Sequence, residues 1–111
     1  MANIPGLIIS ENANTALSQG VAVIYGTGGV IVSTLNAKII VGTITEDVAI
    51  NKTARIQTNG VTLVKLGGTV TAGMPLAVTA AGLFVDASTN PAMAMARKAG
   101  VSGDLIEAIL L

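Results

Sequence analysis

A chain of 111 residues has the length of one domain, and its six basic residues balance six acidic ones for a net charge of zero. No run of either sign occurs, so the clustered Lys and Arg that drive nucleic-acid or membrane-surface binding are missing. Histidine and cysteine are both absent, which removes the commonest general base, the commonest metal ligand, thiol chemistry and any disulfide framework.

The apolar share is 51%, made of Val, Ile, Leu and Ala with one Phe, one Tyr and no Trp, punctuated by 13 Gly. Charged residues make up 11%, against about a quarter in a typical soluble domain. So few charges cannot cover a free monomer. Part of the apolar content is expected to face partner chains, as in obligate interfaces, which resemble a domain core cut in half.

In chain order, the first six residues carry no basic or long apolar region, so no secretory signal is expected. Ile4, Pro5, Leu7, Ile8 and Ile9 form an apolar cluster ahead of an Asn-rich stretch and are the candidate partner-binding residues. Residues 1–15 read as an amino-terminal arm. It has two readings: an extra strand in the chain's own sheet, or a strand added to a neighbour's sheet edge, where backbone hydrogen bonds give affinity. Residues 12–19 have an Ala/Leu pattern compatible with a short helix. The apolar stretch 21–32 is broken by Gly26-Thr27-Gly28-Gly29 and is too short to cross a bilayer as a helix.

Residues 39–45, 54–58, 61–66, 76–79 and 83–85 are short β-branched runs bounded by Gly, Asn or Pro. Thr58-Asn59-Gly60 reads as a hairpin, because Asn-Gly tolerates the positive φ of a type I′ turn. Ala81-Gly82 and Ser102-Gly103-Asp104 are further turn candidates. Residues 92–99 have helix propensity after Asn90-Pro91, but an internal repeat argues for a strand there. An offset of 53 pairs Gly20 with Gly73, Gly29 with Gly82 and Val32 with Val85; after a one-residue slip, 41–45 pairs with 93–97 and 53–58 with 105–110. Pseudo-repeats at about 17–58 and 70–110 within one β domain, residues 16–111, are therefore expected. The fold class is all-β: a small barrel or sandwich built from an internal duplication, with strands every 8 to 12 residues or so.

Catalytic motifs are weak. The glycine-rich segment 26–29 lacks both the third Gly of a dinucleotide fingerprint and the Gly-Lys-Ser/Thr of a phosphate loop, and Val30-Ile31-Val32 after it is a strand; a hairpin turn is expected. Glu11, Glu46, Asp47, Asp86, Asp104 and Glu107 show neither the dense spacing of a calcium loop nor a paired general acid and base, and read as exposed turn residues, with Asp104 capping a turn. No Ser lies in Gly-x-Ser-x-Gly, and no His is present to activate one. The chain is expected not to be an enzyme and to need no cofactor or metal. Biotinyl and lipoyl carriers, also small duplicated β-structures, resemble the phrase Val70-Thr71-Ala72-Gly73-Met74-Pro75-Leu76. Their modified Lys sits at the centre of symmetry, whereas Lys98 lies inside the second repeat after Arg97.

The phrases Val41-Gly42-Thr43-Ile44-Thr45-Glu46-Asp47, Ile56-Gln57-Thr58-Asn59-Gly60-Val61, Val70 to Leu76 and Gly103-Asp104-Leu105-Ile106-Glu107-Ala108-Ile109-Leu110-Leu111 resemble small phage capsid cement (head decoration) proteins, some of which were mislabelled as recombinases. The resemblance covers about residues 16–111 and rests on the order and spacing of the phrases. Two features depart from it: Ala92-Met93-Ala94-Met95-Ala96 replaces the usual Ile-Gly-Val-Ala phrase, and the first 15 residues lie outside it. It implies a barrel-like protein, often a homotrimer, on the outer surface of the virion, stabilising the head by bridging major capsid protein subunits, with no nucleic acid or membrane as partner. The alternatives are another virion β-module, associated with a tail or fibre, and a carrier domain modified at Lys98.

Overall fold

The computed structural model describes residues 7–34 and 39–110, all in strands, turns and extended connections with no helix. The first sheet contains β1 (Ile8–Asn12), β2 (Ala22–Gly26), β3 (Gly29–Val32), β4 (Gly42–Ile44) and β5 (Thr53–Gln57). The second contains β6 (Gly60–Lys65), β7 (Pro75–Val78), β8 (Phe84–Asp86), β9 (Ala94–Ala96) and β10 (Leu105–Leu110). All ladders are antiparallel, in the orders β1-β5-β4-β2-β3 and β6-β10-β9-β7-β8, so adding five to each strand of the first sheet generates the second.

The duplication extends to individual backbone bonds. Leu17 N–H donates to Val48 O at 2.9 Å and Val70 N–H to Gly100 O at 2.9 Å. Gly20 N–H donates to Ile44 O at 2.8 Å and Gly73 N–H to Ala96 O at 2.7 Å. Thr45 and Arg97 N–H donate to Arg55 O and Glu107 O, both at 3.0 Å. The repeating unit also takes in β1 and β6, which precede the segments matched by sequence. Each sheet curls until its outer strands meet: Ala13 pairs in parallel with Val30, and Leu66 with Phe84. That closure leaves few free strand edges.

Each half holds its own core. Ala13, Leu17, Val23, Val30, Ile44 and Ile56 fill the first, and Val64, Leu66, Leu76, Val78, Phe84 and Ile106 the second. The halves interlock, because Ala22 belongs to the second core and Leu83 packs on the first. Backbone bonds cross between them: Ala22 N–H donates to Gly82 O at 2.8 Å and Lys65 N–H to Gly20 O at 2.9 Å. Both crossings require glycine. A Cβ on Gly82 (φ +77°) would stand 2.8 Å from Ala22 O, and one on Gly20 (φ +86°) 2.8 Å from Lys65 N.

Two local expectations need correction. Residues 12–19 are not helical; they finish β1 and bridge to residue 48 in extended form. Thr58-Asn59-Gly60 is not a hairpin, because β5 and β6 lie in different sheets. Thr58 N–H instead donates to Leu7 O at 2.8 Å, prolonging the β1–β5 ladder, and Gly60 at φ +84° turns the chain into the second sheet. The segment after Asn90-Pro91 is a strand, β9, and 26–29 and 79–82 are hairpin turns, as the repeat and glycine signals predict.

Candidate functional site

Strand alternation sets which apolar side chains face out. In β1, Ile8, Ser10 and Asn12 point outward while Ile9 turns in and packs on the first core. Of the candidate partner-binding residues, Ile4 and Pro5 lie outside the described residues. Leu7 is 60% exposed and Ile8 48%. Their backbone is anchored to the chain itself: Leu7 N–H donates to Asn59 Oδ1 at 2.8 Å, and β1 pairs along its length with β5. An added strand in the chain's own sheet is thus what residues 8–12 form.

A second apolar surface, which the sequence did not single out, lies on the outer face of the second sheet. Cross-strand partners there form one row: Pro75 opposite Met95, Met95 opposite Ile109, and Ile109 opposite Val61. Pro75 is exposed, Met95 is 41% exposed and Ile109 39%, and Leu105 lies further along β10 on the same face. Residues 95 and 109 are 14 apart in sequence, so only the β9–β10 register makes them neighbours. Apolar side chains ranked side by side across a sheet form a contact face, whereas scattered ones are ordinary surface.

Several carboxylates serve structure. Asp86 Oδ1 accepts Ser88 N–H at 3.0 Å and Asp104 Oδ2 accepts Val101 N–H at 3.0 Å, each tying a turn, while Asp47 Oδ1 accepts Gln19 N–H at 2.7 Å and links two loops distant in sequence. Glu107, largely shielded, lies 3.5 Å from Arg97 and 3.9 Å from Lys98. Glu107 and Lys98 border an open depression of about 430 Å³ with Leu63, Asp104 and Leu105. Lys98 follows β9, within the second half of the sequence. Glu11 Oε2 accepts the Tyr25 hydroxyl at 2.7 Å. That bond, then partial desolvation and the carboxylate's charge, raises the tyrosine pKa above its ordinary value. Among the described residues no group of three His, Cys, Asp or Glu is placed to hold a metal, and no buried side-chain polar atom lacks a partner.

No protein-family model matches the chain, and no curated protein matches its sequence. Among solved structures, the N base of head fiber gp8.5 in bacteriophage phi29 is similar to it, with a TM-score of 0.76 and 14% identity, over 95% of this chain and 93% of that one. The two-sheet all-β fold assembled here from duplicated strands is therefore the fold of that head-fiber base.

Proposed function

We propose that this chain is a structural module of a phage virion, a decoration protein that binds the outer surface of the head and stabilises it by bridging major capsid protein subunits. The observation that carries the reading is the likeness to a head-fiber base over nearly the whole of both chains. The cement-protein phrases spread along residues 41–111 support it independently. The chemistry agrees. A chain without imidazole or thiol, whose Asp47, Asp86, Asp104 and Glu107 are engaged in loop bonds and ion pairs, acts by contact rather than by turnover. Apolar contact is little weakened by salt, and a homotrimer makes several modest attachments act as one through effective concentration.

The test is co-sedimentation of purified protein with expanded heads that lack it, followed by heating. Binding with a raised temperature of head disruption is expected; protein left in the supernatant overturns the reading. The same likeness favours a second reading, a base that carries a head fibre. Electron cryomicroscopy of decorated heads separates the two, since only a fibre base shows density projecting outward from its attachment point.

A further inference from the structure

The duplication makes every surface of one half comparable with its counterpart in the other. The second-sheet row Val61–Ile109–Met95–Pro75 has as counterpart the first-sheet row Ile8–Gln57–Thr43–Ala22, joined by the same cross-strand pairings. In the first half three of the four positions are covered: Gln57, Thr43 and Ala22 are fully buried, while Ile8 at the end of the row is exposed. The second half covers it, with Gln57 Nε2 donating to Val61 O at 3.0 Å, the Thr43 and Thr62 hydroxyls 3.4 Å apart, and Gly82 O accepting from Ala22 N–H. In the second half Pro75, Met95 and Ile109 are open and Val61 is buried, yet the row is the more apolar of the two. Polar side chains occupy the buried positions and Met95 and Ile109 the exposed ones, the reverse of what solvent exposure alone selects.

The covering elements also have counterparts. The start of β6 corresponds to the start of β1, Thr62 to Ile9, and the 79–82 turn to the turn at Thr27-Gly28-Gly29. In the first half Leu7, Ile8, Thr27 and Gly28 are exposed, and Ile9 is half-buried, packed in part on its own core. We infer that copies of this chain join head to tail, the start of β1 and the 27–29 turn of one copy seating on the Pro75–Met95–Ile109 row of the next. The contact repeats between copies the packing that joins the halves within one. The Thr43–Thr62 pair becomes Met95 against the part of Ile9 that its own core leaves uncovered, an apolar pair in place of a polar one. Pro75 stands where Ala22 gives its N–H to Gly82, so this joint packs side chains and lacks that backbone bond. A heterologous contact of this kind closes into a ring when its rotation allows. The inference rests on the decoration reading only for the expectation that the chain self-associates.

The chain has no cysteine, so single cysteines report the geometry. Ile9→Cys and Met95→Cys chains, mixed and oxidised with diamide, are expected to give a disulfide-linked pair, while neither forms one alone. Cross-linking of Met95→Cys with itself as readily as with Ile9→Cys indicates a two-fold contact and overturns the inference, as does no cross-link in the mixture. Should Ile9→Cys fail to fold, light scattering decides. Met95→Lys is expected to weaken self-association by roughly tenfold or more, while Ile50→Lys, at an exposed site off the row, leaves it unchanged. A wild-type chain of monomer mass at all concentrations also overturns the inference, even if it sediments with heads, in which case the decoration reading stands alone.

Discussion

Tyr25 is the chain's sole tyrosine, so its ionisation can be followed without interference. Its bond to Glu11 is made by the protonated phenol, and the raised pKa means that this link is whole below a tyrosine's ordinary value of about 10 and is lost as pH rises through the folded value. An absorbance titration near 295 nm is expected to show a midpoint above the ordinary value, falling toward it in Glu11→Gln. Gly82 carries a heavier demand. Gly82→Ala places a methyl against Ala22 O at a φ of +77° and is expected to cost about 1–3 kcal/mol in denaturant unfolding. Gly73→Ala, also at positive φ but with nothing within 4 Å of the added carbon, isolates the backbone part of that cost.

At the scale of the element, β10 lies between β6 and β9 and carries the longest ladder of its sheet, whereas β3 and β8 end their sheets. Amides of residues 106–110 are expected to exchange most slowly and those of β3 and β8 faster, measured by hydrogen exchange with residue resolution. Much of this layout was legible. Val, Ile and Thr runs between glycines marked the strands, and the repeat, after its one-residue slip, turned the Ala-rich segment after Pro91 from a helix candidate into β9. What failed was pairing. Asn59-Gly60 announces a turn, and Gly60 does take a positive φ, but that fixes the local backbone and not the strand to which the chain is delivered. The Met95–Ile109 row was hidden for the same reason: alternation shows that alternate residues share a face, and only register shows which strand lies beside them. Ile9, grouped by sequence with outward-facing neighbours, turns into the core through that alternation.

At the scale of the molecule, the two cores are joined by Ala22 entering one and Leu83 entering the other, so the halves are expected to unfold together. A single transition with coincident circular dichroism and Tyr25 fluorescence midpoints is the predicted outcome; two resolved transitions would show independent halves. The seam between them holds a few backbone bonds, the Gln57–Val61 bond, a Thr–Thr contact and the packing of Ala22 and Leu83, and only Thr58 and Asn59 separate β5 from β6. So short a tether holds each half beside the other at a local concentration in the millimolar range or so, where even a weak contact is saturated. Severing the chain between Thr58 and Gly60 leaves every contact intact but removes that proximity. The fragments of such a nicked protein should part on dilution, and the seam would then prove to be a low-affinity complex made permanent by two peptide units.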